Sequence, residues 1–87
     1  MSGNGVIVPK SFPFSSLKRR LKRYQIYWVP RKGKGGHGGF VGPDRNGNKQ
    51  SFPLPSSQHK EVHRIYLKGL CRRFQLGVKQ LFGQDRR

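Results

Sequence analysis

Acidic residues are almost missing. The 87-residue chain holds three, Asp44, Glu61 and Asp85, against 19 Lys and Arg, for a net charge of +16. Two-carboxylate hydrolysis of glycosides needs a facing acidic pair, which three scattered acids supply poorly. All-oxygen sites for calcium or magnesium are starved in the same way. Cysteine is limited to Cys71, so no internal disulfide can form, and no Cys/His grouping has zinc spacing. A reducing cytoplasm is the expected setting, with no cofactor. No apolar run approaches the roughly 20 residues that span a bilayer; the longest is Ile26-Tyr27-Trp28-Val29. Residues 1–9 lack a basic start followed by a long apolar block, so no secretory signal is expected. Length allows one domain, burying only about 60% of its unfolded surface, which rules out a dinucleotide-binding sheet or an α/β barrel.

What is abundant is positive charge. Such a chain repels itself and seeks anions, and phosphate backbones are favoured because each neutralised phosphate releases counterions. Anionic membrane is less favoured. The same surface would serve an acidic protein partner, or would serve solubility alone.

Along the chain the apolar pattern changes period. Residues 1–13 read as a loose arm or short extended segment, with Phe12 or Phe14 as its anchor. Phe14, Leu17, Leu21 and Tyr24 fall on one face of a helix over 15–24, with Lys18, Arg19, Arg20, Lys22 and Arg23 around the rest. Ser15 or Ser16 is placed to accept a bond at its start. Residues 24–31 switch to period two, with Tyr24, Ile26 and Trp28 on one side and Gln25, Tyr27 and Val29 on the other, so a strand is expected. A second strand follows at about 39–42, then a turn over 44–49 with Asn46-Gly47 as its strongest signal. The third strand, 50–54, points Phe52 and Leu54 inward, and its prolines put it at an edge. A second helix over 61–76 carries the stripe Leu67, Leu70, Cys71 and Phe74, with Gly69 allowing close packing on the sheet and Gly77 as terminator. Residues 78–87 form either one more helical turn, through Val78, Leu81 and Phe82, or a disordered tail.

The expected architecture is α+β: a small two-layer α-β-β-β-α domain over residues 14–77, with an arm before it and a basic tail after it. A three-stranded antiparallel sheet with both helices on one face would bury these stripes. That layout is double-stranded-RNA-binding-like, a type that reads A-form shape through phosphates and 2′-hydroxyls.

Residues 31–40 carry five glycines, Arg31, Lys32, Lys34 and His37. Their spacing fits neither the P-loop nor the dinucleotide fingerprint. Two readings remain. In one, this is a glycine loop in which His37 is incidental. In the other, the loop presents one imidazole among cations. RNA brings its own nucleophile, the 2′-hydroxyl. An enzyme that uses it needs a proton carrier near neutral pH and positive groups for the developing phosphorane charge. Neighbouring positive charge disfavours imidazolium and keeps His37 neutral, the form suited to base catalysis. His59 and His63 are weaker candidates for a second proton-transfer group, read more simply as surface or helix-start histidines. Cys71 belongs to the core stripe.

At these residues the chain resembles the HicA family of toxins, the mRNA interferases of bacterial toxin–antitoxin pairs. The resemblance covers about residues 15–76. It rests on Gly35-Gly36-His37 with Phe40 three positions on, Pro43-Asp44, Ser51-Phe52-Pro53-Leu54-Pro55, and the helix Tyr66-Leu67-Lys68-Gly69-Leu70-Cys71-Arg72-Arg73-Phe74. The chain departs from the family in having Gly36 where a serine usually precedes the histidine, and in its longer turn. The resemblance implies a double-stranded-RNA-binding-like fold, metal-independent cleavage of mRNA with arrest of translation, His37 as the catalytic residue, and a HicB-like acidic antitoxin that covers the active face. Arg31, Lys32 and Lys34 are assigned to the scissile and flanking phosphates. Lys49, Arg64 and Lys68 are assigned as broader RNA contacts from charge and helix face. The competing reading is a non-catalytic basic RNA-binding module in the style of a small ribosomal or ribonucleoprotein component.

Overall fold

A computed structural model gives the fold of the protein and describes residues 7–30 and 38–83. The chain runs β1 (Ser11–Pro13), α1 (Phe14–Lys22), β2 (Tyr27–Val29), β3 (Gly39–Pro43), β4 (Lys49–Pro53), a 3-10 turn (Ser56–Gln58), β5 (Glu61–His63), α2 (Arg64–Phe74) and α3 (Val78–Phe82). Strands β2, β3 and β4 form the expected antiparallel sheet in that order, with Trp28, Phe40 and Phe52 side by side across it. Their rings share one face because successive strand residues alternate. Helix α1 brings Phe14 to that face, its ring 5.0 Å from Trp28 and 6.0 Å from Phe40. Helix α2 brings Gly69, where a Cβ would stand 2.9 Å from the Phe52 ring. The glycine thus lets the helix approach the sheet at the cost of about 1 kcal/mol of helix propensity.

A two-stranded sheet, β1 against β5, was not anticipated by the sequence pattern. It pairs Ser11 with His63, Phe12 with Val62 and Pro13 with Glu61. Residues 61–63 are therefore strand, not the first turn of the second helix. This ladder also explains how the helices start. The Phe14 amide donates to the Lys60 carbonyl at 3.0 Å, and the Arg64 amide donates to the Lys10 carbonyl at 2.9 Å. A donor left free at each helix start is thus bonded by backbone of the opposite strand. Neither helix has a side-chain cap, and Ser15 and Ser16 lie inside α1 rather than before it.

A glutamine in the left-handed region follows both long helices, Gln25 at φ 61° at the end of the turn after α1 and Gln75 at φ 58° directly after α2. After each, the next amide reaches back five residues, Ile26 to the Leu21 carbonyl and Leu76 to the Cys71 carbonyl. Burial of Ile26, and partial burial of Leu76 against the core, anchors this closure where glycine is the usual choice. Helix α2 accordingly stops at Phe74, and Gly77 instead precedes α3, its amide donating to the Gln80 side chain at 2.8 Å. Tyr24 falls in the turn after α1 and not in the first sheet strand, which begins at Tyr27.

The packed core reaches past residues 14–77, since Val8 and Leu81 belong to it. Helix α3 is clamped onto α1 by Arg20, whose guanidinium donates to the carbonyls of Leu81 and Gly83 at 3.0 Å each. A cation at the end of a helix also suits its dipole. Cys71 is buried in the α2 stripe, and burial pushes its thiol up to about 11, away from nucleophilic use. No helix among the described residues is long and apolar enough to cross a membrane.

Asp44 ties the turn between β3 and β4. Its carboxylate accepts the amides of Asn46 and Asn48 at 2.9 Å and the Gln50 side chain at 3.0 Å. Gly47 supplies the positive φ of that turn, at 86°. Partial burial works to raise the Asp44 pKa, but bonds from Asn48, Gln50, Asn46 and Gly47 outweigh it and hold the carboxyl below its ordinary value. Its stabilisation is therefore complete above the unfolded-state pKa and is lost as pH falls through the lowered folded-state value. Asp44→Asn is expected to lower the melting temperature at neutral pH, with the gap from the parent closing in acid below the ordinary carboxylate range. A gap that stays constant across that range in thermal unfolding would contradict this account.

Candidate nucleic-acid interface

The segment singled out by its glycines and cations springs from a braced base. Val29 and Gly39 are paired across β2 and β3, so residues 30–38 leave and rejoin the sheet at one position. At the exit, Gly38 lies against the Trp28 ring, where a Cβ would stand only 2.3 Å from Cζ2. Any side chain at position 38 would displace that ring. The Gly38 carbonyl accepts the Leu54 amide at 3.0 Å. Leu54 in turn offers its carbonyl to the His59 ring at 3.1 Å.

His59 is the unforeseen member of this base. Its ring stacks on Phe14, 5.0 Å between centroids and 9° from parallel, and meets Trp28 edge-on at 5.0 Å. Nothing in its local sequence announces this, because the partners come from α1 and β2. The packing fixes one ring nitrogen on a backbone carbonyl and sets the ring against Phe14 and Trp28, so His59 braces the base of this segment. His63 is exposed on β5, and its amide is held by the Gln58 side chain at 2.9 Å.

His37, Arg31, Lys32 and Lys34 lie outside the described residues. Lys49, Arg64 and Lys68 are all exposed, but they do not form one cluster. Arg64 and Lys68 are one turn apart on α2, and Arg64 reaches back to the Pro9 carbonyl at 3.4 Å. Lys49 begins β4 at the opposite end of α2. There Gln50 shares a cleft of about 400 Å³ with Arg72, Arg73, Gln75 and Asp44. Arg72 and Arg73 thus join the Lys49 end of the surface. The two acids among the described residues are both engaged in hydrogen bonds elsewhere. Asp44 is consumed by its turn, and Glu61 accepts the Ser11 hydroxyl at 3.0 Å.

Comparisons of the chain with protein-family models, with curated proteins and with solved structures find no match.

Proposed function

We propose that the protein is an endoribonuclease of the HicA toxin type, which cuts mRNA without a metal and so arrests translation. One observation carries the reading: residues 30–38, with Arg31, Lys32, Lys34 and His37, start and end on a single paired position of the sheet that aromatic rings brace from behind. A segment whose two flanks are paired on the sheet can bring an imidazole and cations to a phosphodiester while its glycines leave room for the ribose. In the proposed reaction His37 takes the proton of the 2′-hydroxyl or gives one to the departing 5′-oxygen, and the cations stabilise the phosphorane. The layout is taken to be double-stranded-RNA-binding-like. Contacts from both α1 and α2 on the Trp28–Phe40–Phe52 face support this, with the β1–β5 ladder as an addition. A HicB-like acidic antitoxin in the cytoplasm is the proposed partner, matched to a charge of +16 that the chain cannot quench internally.

The test is turnover in EDTA. Purified protein is expected to shorten a single-stranded transcript and to leave the same sequence in deoxyribose intact. Cleavage of both strands alike removes the 2′-hydroxyl mechanism. A mobility shift without shortening turns the reading to the non-catalytic RNA-binding module.

A further inference from the structure

We infer that the cleft between α1 and β2 is a seat for one unpaired nucleotide of an RNA strand, with Tyr27 stacking on the base and Lys18, Arg19 and Lys22 holding the flanking phosphates. The inference rests on the RNA reading above and names a site that reading does not use. The cleft encloses about 460 Å³ and is lined by Ser15, Lys18, Arg19, Lys22, Tyr27 and Trp28. That is within the range of small-ligand sites.

Three observations point to this occupant. The first is unbalanced charge. Lys18, Arg19 and Lys22 lie within two turns of one helix, and Lys18 and Lys22, four apart, repel each other. The two acids among the described residues, Asp44 and Glu61, are bonded elsewhere, and the Lys18 ammonium rests 5.0 Å over the Phe14 ring. An external anion therefore relieves a repulsion that the fold leaves in place. The second is Tyr27 itself. The residue is 49% exposed, and it faces away from the buried side of the sheet that holds Trp28, in register with Val41 and then Ser51. An exposed aromatic beside a line of cations suits a nucleobase, which offers a flat π-face next to a phosphate. The third is position. β2 is the edge of its sheet, so a strand laid in the cleft follows an open edge, and in the sequence β2 is followed after Pro30 by the segment bearing Arg31 and His37.

Duplex RNA would gain little from such a seat. Its bases already have both faces stacked, and only an unpaired base can turn onto Tyr27. An acidic protein segment would use the cations but not the ring.

The experiment measures anisotropy of a labelled eight-nucleotide RNA with 2′-O-methyl sugars, which binds without being cut. The same strand annealed as a duplex and a labelled polyglutamate peptide serve as comparisons. Tyr27→Ala is expected to weaken binding of the single strand about tenfold. Tyr27→Phe should retain it, and Tyr27→Ala should leave the duplex and polyglutamate unchanged. Replacing Lys18, Arg19 and Lys22 together by Gln should flatten the log–log salt dependence for the single strand by about 2. Circular dichroism verifies that each variant is folded. The proposal is overturned if Tyr27→Ala binds the single strand as the parent does, if Tyr27→Phe loses as much as alanine, or if duplex or polyglutamate binding falls in parallel. Unmodified transcript cut in EDTA by a Tyr27→Ala chain with undiminished single-strand affinity sinks this seat alone. A parent chain with no affinity for any RNA sinks the enzymatic reading with it.

Discussion

His37→Ala is expected to slow cleavage of RNA by a factor of about 10² to 10⁴, the usual worth of a positioned proton carrier. The same substitution should leave thermal unfolding where it was. Both halves follow from where the residue stands in the chain. His37 lies between Gly36 and Gly38, and the core of the described residues is complete without it. The cations Arg31, Lys32 and Lys34 remain in the variant, so RNA affinity should persist while turnover is lost, which a binding assay beside a single-turnover cleavage assay will show. In cells, expression of the parent should halt growth and the alanine variant should not. An equally active alanine variant would remove His37 from the chemistry. His63, exposed on β5, would then be the better candidate, because His59 is committed to the stack on Phe14 and the bond to Leu54.

The three-stranded sheet was legible because its residues obey period two. Ile26 and Trp28 point inward, Tyr27 points out, and Asn46-Gly47 marks the hairpin. The stripes of α1 and α2 were legible for the corresponding reason at helical spacing. The β1–β5 ladder was not. Its strands are three residues long, one contains Pro13, and they lie about fifty positions apart, so no local pattern links Phe12 to Val62. The only trace was Val62, a β-branched residue between polar Glu61 and His63, too short a run to override the helix that follows. Gly77 misled for a different reason. Helix ends favour glycine, but here Leu76 is drawn toward the core early enough that Gln75 takes the left-handed position. For the candidate site, composition and spacing drew attention to His37 and the cations near it. They did not reveal that Lys49 and Arg64 sit at opposite ends of α2, or that His59 joins the base of the loop. Those are facts of tertiary packing between segments remote in sequence.

Phe40→Ala should be the most damaging single change to the fold. Phe40 is fully buried, 5.0 Å from the Trp28 ring and 6.0 Å from Phe14, with Phe52 beside it across the sheet. Truncating a buried phenylalanine costs about 3–5 kcal/mol, because the lost transfer energy is joined by a cavity. A chain of this length has a net stability of about 4–13 kcal/mol. The variant should therefore lose on the order of 20 °C in melting temperature, given a shift of several degrees per kcal/mol in small domains. Phe40→Leu, which refills most of the space, should recover much of that loss. The comparison with His37→Ala separates two meanings of one sequence motif. The resemblance pairs the histidine with an aromatic three positions on, and the structure gives that aromatic no surface from which to touch a substrate. Phe40→Ala should lower activity only in proportion to the unfolded fraction, and cooling should restore it. His37→Ala should remain slowed by the same large factor at every temperature. A cold, folded Phe40→Ala protein that still cannot cut RNA would place Phe40 in the chemistry and refute its assignment to the core alone.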